Sequence, residues 1–318
     1  MSLHFRQATM KHRSKLLLLL LILTCFSLPT LADAEKKVGL LWVGKSSMQD
    51  RVLKGFMARI EESAPSINVE VKPQLKTIEE ASFVVERYAK QKDAIIFLRS
   101  TGAKFLAQNP LNIPAFIGGC NNPISLGVAS SLDSPDKEIT GVTYYLPYEK
   151  HFSVIDDTFK NIKSIGLLLE KGHPSSLIDL KGTEEQAKLR GITFHSRLFT
   201  SKSELLNETK KLKADVDLFI IGSQALIMDN TKEIVKFAGK TPVISYAEKP
   251  VIEGAVLGLV PDDQKLGEML ADSVIDVLIN EKPISQVPIK TDPSPKLRVN
   301  EKMLKFHGIE LLHSLHTN

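Results

Sequence analysis

The chain reads as an α/β protein of two lobes, each a parallel sheet covered by helices. Three observations predict this. Short apolar runs alternate with helical patterns almost from end to end. Many of the runs are apolar at every position, which suits strands buried on both faces. The succession of strand and helix occurs twice, which gives two sheets, with ligands expected at the carboxyl ends of their strands.

Residues 1–34 read as an export signal outside the fold. Arg6, Lys11, Arg13 and Lys15 form a basic region. An apolar run follows over 16–23, with Phe26 and Leu28, and Ala32-Asp33-Ala34 offers a cleavage site after Ala34. The run is short for a membrane span and Pro29 is close. A start at Met10 leaves this unchanged. Threonine before Cys25 is poor for a lipidated cysteine, so soluble export ranks above a lipid anchor. An uncleaved anchor is the alternative.

In the first half, 38–43 is a buried strand. Leu53, Phe56, Met57 and Ile60 then recur at i, i+3, i+4, i+7 and give one apolar helix face. Val69-Glu70-Val71 alternates as a strand. Ala81, Val84, Val85, Tyr88 and Ala89 mark a helix, and 94–98 and 115–117 are strands. The second half repeats the plan, with strands at 165–169, 194–198, 218–221, 243–244, 256–260 and 297–299. Helices are expected at 184–190, 203–212, around 234–237, through Leu266 to Leu278, and at 301–307. Pro283, Pro288, Pro293 and Pro295 cluster in one connection, which favours an extended crossing between lobes. The tail at His313 and His316 is expected to fray.

The signal takes four basic residues and one acid with it, so the remainder holds 37 basic against 36 acidic residues. That balance makes no case for nucleic acid. Only Cys120 remains, so no internal disulfide is available and the fold rests on its apolar core.

Gly39-Leu40-Leu41-Trp42-Val43-Gly44-Lys45-Ser46 fits a phosphate-loop expression, but its variable positions are the strand itself. Amides engaged in a sheet cannot cradle a phosphate, so the match reads as chance. Residues 44–47 read instead as a cleft loop in which Ser46 and Ser47 donate to a solute. Ser100 and Thr101 follow a strand and open a helix, a place for an anion or an ordinary cap. Gly222, Ser223 and Gln224 stand likewise after 218–221. Tyr144, Tyr145, Tyr148 and Tyr246 either stack on a solute or pack the hinge. Trp42 lines the cleft or, by default, the core. Cys120 has no base beside it and reads as a buried thiol. The histidines lack metal-ligand spacing, so no metal is assigned, and no cofactor is expected.

One stretch carries a resemblance. Asn121-Asn122-Pro123, Gly127-Val128, Leu132-Asp133-Ser134-Pro135 and Ile139-Thr140-Gly141-Val142-Thr143 stand at nearly the spacing of matching motifs in the substrate-binding components of ABC importers. That family includes binders of aromatic amino acids. Further collinear pieces are Lys54-Gly55-Phe56, the run 93–98 with Ser100-Thr101, Pro174-Ser175-Ser176, Pro242-Val243, Glu248, Val251, Gly254-Ala255 and Leu266-Gly267. The resemblance implies two Rossmann-like lobes joined by three hinge crossings, near Thr143, Gly258 and Pro288. It assigns 35–142 and 259–284 to lobe 1, and 143–258 and 285–318 to lobe 2. It implies no enzymatic chemistry, closure on a small solute, a membrane permease as partner, and a monomer. A module reporting to a membrane sensor kinase or cyclase is the alternative, and an enzyme lacks a catalytic constellation.

The resemblance places Arg99, Asn121, Asn122, Thr143, Ser175, Ser176, Tyr246 and Glu248 at the cleft. This sequence departs from the family at Arg99, where a glycine is usual, and at Asn122 and Ala247, where acids are usual. With two acids gone and a cation gained, the cleft is expected to prefer a neutral or anionic solute over a zwitterionic amino acid. The competing expectation is that Arg99 faces the lobe surface and Glu248 alone holds an amine.

Overall fold

The computed structural model describes residues 35–311. The expected signal segment and the histidine tail lie outside them. Among the described residues no helix is long and apolar enough to cross a membrane.

The first lobe is built on a six-stranded sheet of β1 (Lys36–Val43), β2 (Ile67–Leu75), β3 (Ala94–Leu98), β4 (Ala115–Cys120), β5 (Ile139–Thr143) and β11 (Lys290–Thr291). Their order is β11-β5-β4-β3-β1-β2, with every pair parallel. The central strands are apolar on both faces because both faces are covered. Val38, Leu40 and Trp42 pack with Phe56 and Leu270 from the helices Ser47–Ser63 and Asp263–Leu278. Leu41, Ile95 and Phe97 point the other way, onto Val85 and Leu106 from the helices Ile78–Gln91 and Arg99–Gln108. The alternation is the period-two geometry of a strand. Trp42 is thus a core residue. Gly39 to Leu41 pair with β2 and β3, which removes the phosphate-loop geometry.

The second lobe holds β6 (Ser164–Glu170), β7 (Thr193–Phe199), β8 (Leu218–Ile221) and β9 (Val243–Ser245) in the order β7-β6-β8-β9, again parallel. Phe152, Ile165, Leu167 and Ile220 fill one side, and Phe199, Leu205, Phe219 and Ile234 the other. An antiparallel pair, β10 (Leu257–Val260) with β12 (Lys296–Val299), completes it.

Two expectations change. Residues 174–176, one of the collinear pieces, open the helix Pro174–Leu189, which starts ten residues before the helix expected at 184–190. Proline suits the first helical position, where no amide partner is needed, and His173 caps it by accepting from the Ser175 amide at 3.2 Å. The third crossing also moves. The chain stays on the first sheet past Pro288: Val287 O accepts from Thr140 Oγ1 at 2.6 Å, Ile289 N donates to Leu132 O at 2.8 Å, and Lys290 and Thr291 pair with Val142 and Thr143. Residues 285–291 therefore pack with lobe 1, and the chain crosses at 292–295. A proline costs an edge strand little, since it gives up one amide on a sheet margin.

Candidate functional site

The site forms where the carboxyl ends of the two sheets face each other. From the first lobe come Ser100, at the start of its helix, and Asn121, just past β4. From the second come Ser175 and Asp179 on the helix Pro174–Leu189, Ser223 and Gln224 after β8, and Tyr246 after β9. Asn121 Nδ2 donates to Asp179 Oδ1 at 2.8 Å across the lobes. Tyr148 OH donates to the same oxygen at 2.7 Å, and Gln224 Nε2 donates to Oδ2 at 2.6 Å. Ser175 Oγ donates to Ser100 Oγ at 3.1 Å, and Ser100 Oγ accepts the Asn121 amide at 2.9 Å. Tyr144, on the first crossing, pairs its hydroxyl with Ser223 Oγ at 2.9 Å. Ser100, Asn121, Ser175, Asp179 and Gln224 are all buried.

Aromatic rings wall this cluster. Tyr148 and Tyr246 meet edge to face at 5.4 Å, and the His151 ring lies 4.6 Å from Tyr246. Tyr246 OH pairs with Thr183 Oγ1 at 2.8 Å. Burial, then the Asp179 charge, pushes the Tyr144 phenol up to about 12. Burial holds His151 neutral, at about 3. Asp179 is raised by burial, against the hydrogen bonds of Tyr148, Asn121 and Gln224.

Asp179 is the residue that sequence reading missed. Its signal is visible in retrospect. Ser175, Asp179 and Thr183 recur every four residues, so they share one helix face, and that polar face is the buried one. A helix that turns polar residues inward needs something polar to face. The cleft that lacks the family's acids at 122 and 247 thus still holds a carboxylate.

Several expected residues do other work. Arg99 adopts φ +72° and donates Nη1 to Val43 O at 2.6 Å, while burial lowers its guanidinium. Its charge is spent on the end of β1. Asn122 Oδ1 accepts the amides of Ile124 and Ser125 and shapes a turn. Thr143 Oγ1 donates to Cys120 O at 2.8 Å and accepts the Tyr145 amide, fixing the first crossing. Ser176 Oγ donates to Glu170 O at 2.5 Å. Thr101 lies in an outer groove with His173 and Pro174. Cys120 is buried, which pushes its thiol up to about 12, so it is no nucleophile.

Ser46 caps the helix Ser47–Ser63 by accepting the Gln49 amide. With Ser47 it lines a side chamber of about 260 Å³ that reaches Asp229 and Glu248 on the other lobe. Glu248 is not in the buried cluster. It pairs with Arg298 at 2.8 Å within its own lobe and with Arg51 of the first lobe at 3.6 Å. Arg51 also binds Asp263 at 2.7 Å, beside the second crossing.

Asp263 gives a pH signature. Burial raises its carboxyl from 3.8 to about 6, Arg51 opposing and the charges of Glu248 and Asp262 assisting. The folded protein therefore holds this proton more tightly than the unfolded chain. The contribution to stability is full below about pH 3.8 and is lost as pH rises through about 6. Relative to Asp263→Asn, the wild type is expected to lose ~2 kcal/mol of unfolding free energy between pH 4 and 7. Urea titrations of both proteins across that range check it; a constant difference refutes it.

Two α/β lobes, three crossings and a polar cluster closed between them define a ligand-binding protein that encloses a small molecule. The chain belongs to the ABC transporter substrate binding protein family, whose model matches residues 48–317. It is 22% identical over 285 residues to the tyrosine-binding protein of Clostridioides difficile strain R20291, covering 87% of this chain and 82% of that one. Its fold matches a Streptococcus pneumonia ABC domain in complex with L-Trp (TM-score 0.79, 20% identity, 89% of this chain and 97% of that chain). It also matches the ligand-free, open form of a substrate binding protein with adhesive properties from Clostridium difficile (TM-score 0.72, 20% identity, 87% and 96%). Members of this family bind small solutes, work with ABC permeases, and are not enzymes.

Proposed function

We propose that this chain is the exported, extracytoplasmic receiver of an ABC importer, capturing one small polar solute between its lobes as a monomer and presenting it to a membrane permease. The observation that carries the reading is the cluster of Ser100, Asn121, Ser175, Asp179 and Gln224, contributed by both lobes and buried where they meet. Buried polar groups in such number demand partners, and lobe closure supplies them. The cross-lobe pair Arg51–Glu248 at the rim adds a contact made only on closure. The relatives that bind tyrosine and tryptophan support a compact amino-acid-like solute, and the tyrosine walls suit an aromatic one. Lobe motion tests this. Small-angle scattering of the purified protein is expected to show a smaller radius of gyration once a metabolite pool supplies the solute. A radius indifferent to every pool removes the reading.

A further inference from the structure

Asp179 is 2% exposed and stands at the meeting of the lobes. Its donors are all neutral: the Asn121 and Gln224 amides, the Tyr148 hydroxyl and the Ser223 backbone amide. Among the described residues no lysine or arginine forms an ion pair with it, and Arg99 is committed to Val43 O. A buried charge without an opposite charge is costly, and neutral donors offset it only in part. A second acceptor stands beside it. Gln224 is fully buried, and its Oε1 has no hydrogen-bond partner. Gly222 leaves that amide its space, since a Cβ there would stand 2.4 Å from the same oxygen. The rings of Tyr144, Tyr145, Tyr148 and Tyr246 line the cavity, and aromatic faces attract cations. His151, in the same wall, is neutral and brings no competing charge.

We propose that Asp179, with Gln224 Oε1, is the pair that reads the solute: the two acceptors take a protonated amine, so the solute is an organic ammonium compound and not an anion. The inference rests on the solute-capture reading above. In the closed form only about 10 Å³ is free at this point, room for about one water. The amine therefore enters while the lobes are open, and Asn121 then closes on the carboxylate from the opposite lobe.

Calorimetric titration of the wild type with paired probes tests it. The pairs are phenylalanine against phenylpropionate and phenylethylamine against phenylethanol, with the co-purified solute identified by mass spectrometry. The amine-bearing member of a pair is expected to bind about a hundredfold more tightly, as for a desolvated charge pair. Asp179→Asn is expected to erase that preference while circular dichroism stays that of the wild type. The wild-type preference stands as a test even where the variant does not fold. Equal or tighter binding of the deaminated member, or a co-purified anion, overturns the amine while leaving solute capture intact. No bound molecule from any source removes both.

Discussion

Gly267→Val is expected to leave no folded protein, and Gly55→Val the same. The helices Ser47–Ser63 and Asp263–Leu278 cross with backbone against backbone. A Cβ on Gly55 would lie 2.0 Å from the Gln264 carbonyl oxygen, and one on Gly267 would lie 2.0 Å from that of Val52. Neither obstacle is a side chain that swings away. The helices would have to part by more than an ångström, and the contact they make is the heart of the first lobe: Val52, Phe56 and Ile60 against Leu266, Leu270 and Val274. Overpacking costs ~1–3 kcal/mol where side chains give way, and more where backbone must move. Separation would also open voids along the whole seam. The total approaches the full stability of an ordinary domain. Soluble yield, circular dichroism and urea midpoints check this. A valine variant that melts within 2 °C (about 1 kcal/mol or less) of the wild type overturns the packing argument.

Asn121→Ala is expected to weaken solute binding by one to two orders of magnitude and to shift the solute-free protein towards the open form. The Asn121 amide donates to Asp179 across the lobes, so that bond exists only on closure. A hydrogen bond to a charged group contributes about 1.5–3 kcal/mol, and here nearly all of it falls on the open-closed equilibrium. A less populated closed state lowers apparent affinity in proportion. Each lobe keeps its own core, so the unfolding midpoint changes little. The measurements are calorimetric affinity and the scattering radius without solute. Affinity within twofold of wild type, with an unchanged radius, shows that Asn121 does not couple the lobes.

The contrast between these two variants separates what could be read in advance from what could not. Strands such as β3 and β8 are short runs of apolar residues, and such a run has few places to go but the inside of a covered sheet. Ser100 and Gln224 were expected between the lobes because carboxyl ends of parallel strands converge there in any such fold, and Ser175 because of the resemblance. The partners of Arg99 and Glu248 were not legible in the same way. The resemblance placed both at the cleft, but a charge goes to whichever partner geometry brings near: the Val43 carbonyl for one, and Arg298 with Arg51 for the other. Residues 290–291 joined the first sheet because an open sheet edge beside β5 was available, which no local pattern records.

The sequence by itself determined the α/β layers, the doubled lobe plan and the burial of Trp42 and Cys120's neighbourhood, since these follow from apolar periodicity over short windows. Only the tertiary structure decided that Asp179 is a buried carboxylate where the lobes meet, and that Asn121 reaches it from the other lobe across 58 positions of sequence. Hydrophobic pattern is a local property that each segment carries alone. The partner of a polar group depends on which segments the fold brings together, and a lone carboxylate in one helix shows its meaning only when the opposite lobe closes over it.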